Sequence, residues 1–138
     1  FLNRPFDNPE IGTNKLESDV LSLIIKLAKK NKIKIVSSSV IEYENSLNPN
    51  RERKAYVSEI LKDAKGYQNA DENIKRQAEN MVKQTNISPV DALHLSSAEA
   101  AKADIFITCD YGIIKRYKGG LKVIDPLEFI KHYEYSNR

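Results

Sequence analysis

Apolar residues along the chain recur three to four positions apart over most of its length and bunch into short continuous runs at three places. Leu16, Val20, Leu23, Ile24 and Leu27 form one stripe of a helix predicted over residues 14–30. Tyr56, Val57, Ile60, Leu61 and Ala64 repeat that spacing after Pro49. Ile74, Ala78, Met81 and Val82 repeat it again beyond residues 66–70, a polar stretch that reads as a loop. The final helix opens on Asp125-Pro126-Leu127-Glu128, which sets an N-cap acceptor, an N1 proline and an N3 acid in order. The continuous runs predict strands at residues 32–37, 104–108 and 121–124. Strands alternating with helices imply an α/β fold with a parallel sheet.

One further helix, starting at Pro89, has a different pattern. Val90, Ala92, Leu93, Leu95, Ala98, Ala100, Ala101 and Ala103 spread around nearly its whole circumference, and only Glu99 and Lys102 mark a wet stripe. Burial on almost every side is expected. Asp91 sits at its start, where Ser88 as N-cap, Pro89 at N1 and Asp91 at N3 give the acid a capping role. Asp110 closes the next strand, and a turn before Gly112 accounts for it equally well. Yet the crevice beyond the carboxyl ends of parallel strands is where ligands bind in such sheets, which makes Asp110 a candidate for chemistry.

A third acid strengthens that candidacy. The segment Val40-Ile41-Glu42-Tyr43-Glu44-Asn45-Ser46-Leu47 predicts a short helix in which Ser39 and Glu42 match a capping box. Glu42 is thereby read as structural and wet. Glu44 falls within the apolar stripe of Val40, Ile41, Tyr43 and Leu47, where an unpaired carboxylate would lose on the order of several kcal/mol. A positive partner is expected, and no lysine or arginine lies near Glu44 in sequence. A divalent cation shared by Glu44, Asp91 and Asp110 meets the need. Oxygen-only ligation suits Mg²⁺ or Mn²⁺, which support phosphodiester hydrolysis.

The order of these segments resembles the PIN domain family, the metal-dependent ribonuclease fold found in VapC-type toxins of toxin–antitoxin pairs. The residues that carry the resemblance are Val36-Ser-Ser-Ser with Glu44 in the next helix, Pro89-Val90-Asp91-Ala92-Leu93-His94-Leu95, Asp104-Ile-Phe-Ile-Thr108-Cys109-Asp110, and Val123-Ile124-Asp125-Pro126-Leu127-Glu128-Phe129. The resemblance implies a three-layer α/β/α fold with a central parallel sheet flanked by helices, spanning residues 1–138 as one domain. It implies a metal-dependent endoribonuclease using Mg²⁺ or Mn²⁺ held by Glu44, Asp91 and Asp110, and the toxin of a type II pair. RNA as substrate, an antitoxin protein and a homodimer are the partners that follow. A PIN domain begins with a strand ending in a metal-binding aspartate, and Phe1-Leu2-Asn3-Arg4-Pro5-Phe6-Asp7 resembles the segment just after it. Upstream residues carrying that acid are therefore expected, and residues 1–138 alone should have reduced metal affinity. The alternative is a catalytically inactive PIN-like module that binds RNA or protein.

Composition adds less. With 138 residues, 41% hydrophobic and 30% charged, the chain has the size and balance of one core. It carries no long apolar run, signal peptide or repeat, and a cytoplasmic protein is expected. A net charge of +3 is too mild to identify a nucleic-acid binder. Locally, Arg51, Arg53 and Lys54 form one basic group, for which a solvated face suffices. Lys115, Arg116 and Lys118 form another close to Asp110, where Lys115 and Arg116 are candidate RNA contacts. Thr108 is a candidate to support a ligand carboxylate, or a β-branched residue suited to a strand end. His94 reads as a buried histidine with a satisfied hydrogen bond, and Cys109, the lone cysteine, as a packing residue.

Overall fold

The computed structural model describes residues 12–136, and the side chains of residues 18–134. Leu16, Asp7 and the rest of the leading segment lie outside the described side chains. The elements run α1 (Gly12–Lys29), β1 (Val36–Ser38), α2 (Ser39–Ser46), α3 (Arg51–Lys62), β2 (Gly66–Gln68), α4 (Glu72–Thr85), α5 (Pro89–Ala100), β3 (Ile105–Ile107), α6 (Tyr111–Arg116), β4 (Lys122–Ile124) and α7 (Pro126–Ser136). The strands are three residues each, shorter than the apolar runs that predicted them. Among the described residues, no helix is long and apolar enough to cross a membrane.

The helices start where short polar side chains can accept the first orphan N–H groups. Asn50 caps α3 through Arg53 N, Asp71 caps α4 through Ile74 N, and Ser88 caps α5 through Asp91 N. Asp125 Oδ1 accepts from Glu128 N at 2.8 Å at the start of α7, as its sequence foretold. At α2 the capping residue is Ser38 rather than Ser39: Ser38 is extended at the end of β1, and its Oγ accepts from Ile41 N at 3.1 Å. Ser39 Oγ is used elsewhere, accepting from Ala70 N at 2.9 Å to pin the loop after β2.

Strand pairing is parallel throughout. β1 pairs with β2, with Val36 opposite Gly66, and β3 pairs with β4, with Ile105 opposite Lys122. The expected single central sheet is, among the described residues, two separate parallel pairs. Side-chain packing rather than backbone hydrogen bonding joins them. Ile33 and Ile35, leading into β1, share an apolar cluster with Ile105, Ile107 and Ile124 of the other pair, around Val20 and Ile24 of α1 and Phe129 of α7. On the opposite face Phe106 and Val123 pack against a second cluster built on Ala78 of α4, Ala92 and Leu95 of α5, and Ile113 of α6. Alternation along β3 and β4 thus sends successive side chains into two helical layers. The α/β/α layering expected of the chain follows from that alternation.

Several details depart from the apolar pattern. On α1, Leu21 is buried at 1% exposure and Leu23 is 37% exposed, because the buried arc is centred on Val20, Leu21, Ile24, Leu27 and Ala28. The helix α5 buries one face, Ala92, Leu95, Ser96 and Ser97, whereas Val90 and Ala100 lie in water. Residues 66–68, read as loop, form β2, where a Cβ on Gly66 would press to 3.2 Å of Val36 Cγ2. A polar edge strand beside a glycine offers no hydrophobic alternation to read.

Candidate active site

Each candidate acid lies near the start of a helix or within a turn or two of it. Glu44 lies on α2, and α2 buries none of its residues. Tyr43 and Leu47, taken to flank Glu44 on a buried stripe, are 68% and 63% exposed. The desolvation argument for a cation at Glu44 therefore does not hold, since the side chain is 61% exposed. A partner is nevertheless present: His94 Nε2, on α5, lies 3.1 Å from Glu44 Oε2. An ionised carboxylate can only accept, so Nε2–H is the donor. His94 itself is 14% exposed, which agrees with a largely buried, hydrogen-bonded histidine.

Asp91 occupies N3 of α5. Ser88 Oγ accepts from Asp91 N at 3.3 Å and donates to Asp91 Oδ2 at 2.8 Å. The carboxylate also faces the positive end of the helix dipole. Asp110 is exposed and caps α6, its Oδ1 accepting from Gly112 N at 2.8 Å and Ile113 N at 3.4 Å. The turn expected before Gly112 is thus the first turn of a six-residue helix. Thr108 is buried, and its Oγ1 accepts from Asp110 N at 3.1 Å. It holds the backbone of Asp110 rather than its carboxylate. Cys109, half-buried, is the residue between the two.

A common pattern links the three acids. Hydrogen bonds engage one oxygen of each: Oε2 of Glu44, Oδ2 of Asp91 and Oδ1 of Asp110. Among the described residues, these bonds leave the second oxygen of each carboxylate as a further acceptor. The donor set, all carboxylate oxygen, fits a hard divalent cation. The geometry is less complete. His94 lies one turn beyond Asp91 on α5 and so brings Glu44 to the helix that carries Asp91. Among the described residues, however, no three His, Cys, Asp or Glu side chains gather into a group able to hold a metal ion. Asp110 is not joined to the other two.

Around Asp110 the surroundings are polar and basic. Lys115 and Arg116 are exposed in the last turn of α6, where they also complement the negative end of its dipole. Tyr111 OH donates to Asp125 Oδ2 at 3.4 Å, so a second acid stands at the end of β4 beside the end of β3. On the other side, the Glu42 carboxylate bonded to the exposed Tyr67 hydroxyl holds that phenol above its ordinary range. Glu42 is itself exposed, as expected.

What sequence reasoning missed was the pairing of two residues it had judged separately. Glu44 was short of a positive or donating partner and His94 of a hydrogen-bond acceptor, and the fold supplies each to the other across 50 positions.

Comparison with known proteins agrees with the α/β layering. No curated protein and no solved structure matches the chain. The family model described as PIN domain matches residues 17–119, three quarters of the sequence and a span that includes Glu44, Asp91 and Asp110. The chain therefore belongs to the PIN domain family, whose members are generally metal-dependent nucleases acting on RNA.

Proposed function

We propose that this chain is an endoribonuclease dependent on Mg²⁺ or Mn²⁺, with Glu44, Asp91 and Asp110 as the acids that hold the ion. The observation that carries the reading is the family match over a span that includes all three, joined to an all-carboxylate donor set in which the hydrogen bonds among the described residues engage one oxygen each. When bound, a divalent cation supplies a polarised water and neutralises charge on a phosphoryl group. The chain's own contributions are distinct from that. Ser88 and the first turn of α5 hold Asp91, and the first turn of α6 with Thr108 holds Asp110. Lys115 and Arg116 offer exposed positive charge to RNA phosphates a turn beyond Asp110. A toxin role with an antitoxin partner, a homodimeric state and a cytoplasmic location extend the same proposal.

The test exploits the capping geometry. Asparagine caps a helix about as well as aspartate, so Asp110→Asn keeps the start of α6 while removing the charge. Asp91→Asn keeps an acceptor for Ser88 Oγ in the first turn of α5 and likewise removes the charge. Each variant should melt within a few degrees of the parent and lose cleavage of a single-stranded RNA in Mn²⁺. Chelation should abolish cleavage by the parent. Retained activity in both variants, or activity indifferent to chelator, would remove the assignment.

A further inference from the structure

We infer that His94 is a positioning residue that orients the Glu44 carboxylate for ligation, an inference that rests on the metal-dependent reading above. Glu44 stands on a helix with no buried residue, and its side chain is 61% exposed. His94 is the rigid partner. Its side chain is 14% exposed, and it lies between half-buried Leu93 and fully buried Leu95 on a helix that also buries Ala92, Ser96 and Ser97. The 3.1 Å bond from Nε2–H to Oε2 therefore ties an exposed acid to a largely buried ring.

The placement of that ring has a second consequence. Residues three apart on a helix share a face, so Asp91 and His94 stand one above the other on α5. One helix face thus carries a candidate ligand and the group that orients another. With Oε2 engaged by His94, Oε1 is the oxygen left for an ion. Restricting a rotamer-rich glutamate on folding removes that entropy loss from the binding step. Hydrogen bonds of this outer kind change metal affinity by about ten- to a hundredfold when removed. As a source of stability the same contact is worth little, because one partner is well exposed to solvent.

The experiment is a set of Mn²⁺ titrations read by electron paramagnetic resonance on the full chain, its His94→Leu and His94→Gln variants, Glu44→Gln, and the Glu44→Gln/His94→Leu double variant. Leucine removes the donor and keeps the bulk, and the glutamine amide restores a donor. His94→Leu should weaken Mn²⁺ binding by about ten- to a hundredfold, with His94→Gln recovering most of it. The double variant should bind no worse than Glu44→Gln alone, because the histidine acts only through that acid. Nitrogen NMR of the metal-free chain supplies a readout independent of how the leucine variant folds: His94 should be protonated at Nε2, and Glu44→Gln should shift that resonance. If Glu44→Gln weakens binding while His94→Leu leaves it unchanged, the positioning role fails and the ligand assignment stands. An equal loss from His94→Leu with Glu44 present or absent would likewise overturn it, since the histidine would act independently. No effect of Glu44→Gln, or no Mn²⁺ binding by the parent chain, would remove the underlying reading and this inference with it.

Discussion

Replacing Tyr117 by phenylalanine should loosen the segment that joins α6 to β4, and the structure gives the size of the effect. The Tyr117 hydroxyl donates to Glu99 Oε2 at 2.7 Å and accepts from Leu121 N at 3.1 Å, tying the end of α5 to the turn before β4. Gly119 lies under this tie, where a Cβ would come within 2.6 Å of Glu99 Oε2. Phenylalanine keeps the ring packing and loses both bonds, one of them to a charged group. Both partners are only half-buried, so water recovers part of the loss, and a cost of about 1–2 kcal/mol is expected at pH 7. Burial, and then the bond to Glu99, push the Tyr117 pKa up to about 12, while the Leu121 N–H pulls it partly back. A folded state that holds its phenolic proton more tightly than the unfolded chain is favoured in full below pH 10. That advantage is lost as pH rises from about 10 towards about 12. Urea melts of the two proteins at pH 7 and pH 11 check this, the other tyrosines cancelling in the difference. The parent should lead at pH 7 and its lead should narrow at pH 11. A difference below about 0.5 kcal/mol at pH 7, or one that does not narrow, would refute the role given to the hydroxyl.

Other perturbations test the core and the surface. Ser96 is fully buried and its Oγ finds no hydrogen-bond partner among the described residues, so Ser96→Ala should leave stability unchanged or raise it by about 1 kcal/mol; a loss above that would mean the hydroxyl is satisfied. Leu95→Ala, at a fully buried position between α4 and β3, should cost about 2–5 kcal/mol in a denaturant melt, and a cost below about 1 kcal/mol would contradict the packing described. Lys115→Ala with Arg116→Ala should weaken RNA binding and lower its salt slope by up to about two charges; an unchanged slope would take these residues out of the interface.

The helices α3, α4, α5 and α7 were legible because each carries two signals, apolar spacing and a cap. Asn50, Asp71, Ser88 and Asp125 cap where the stripes begin. The short elements were not. Nothing apolar marks Gly66-Tyr67-Gln68 as a strand, and it forms because Val36-Ser37-Ser38 offers a parallel edge. The helix α6 is invisible for a related reason: six residues carry less than two turns of pattern, and a single capping aspartate decides it. Leu23 and Val90 show a third limit. A wheel assigns a face to each residue but not the width of the arc that the neighbouring layer covers, and both fall just outside it.

Glu44 shows how a candidate acid can be reached through a faulty premise. Its position between Val40 and Leu47 suggested burial, yet α2 lies on the surface and the carboxylate is mostly wet. What the spacing did contain was a carboxylate in want of a partner, and the partner turned out to be 50 residues away, on the helix that bears Asp91. The capping roles that seemed to compete with chemistry at Asp91 and Asp110 have a similar standing. A helix start takes one carboxylate oxygen and leaves the other, so holding a helix and holding an ion draw on different atoms of the same group. Capping also restricts the side chain to the conformation in which that second oxygen is presented, and it does so at the positive end of a helix, where the charge is stabilised. Structural and functional explanations of these aspartates are therefore compatible, and only substitutions that keep the cap while removing the charge can separate them.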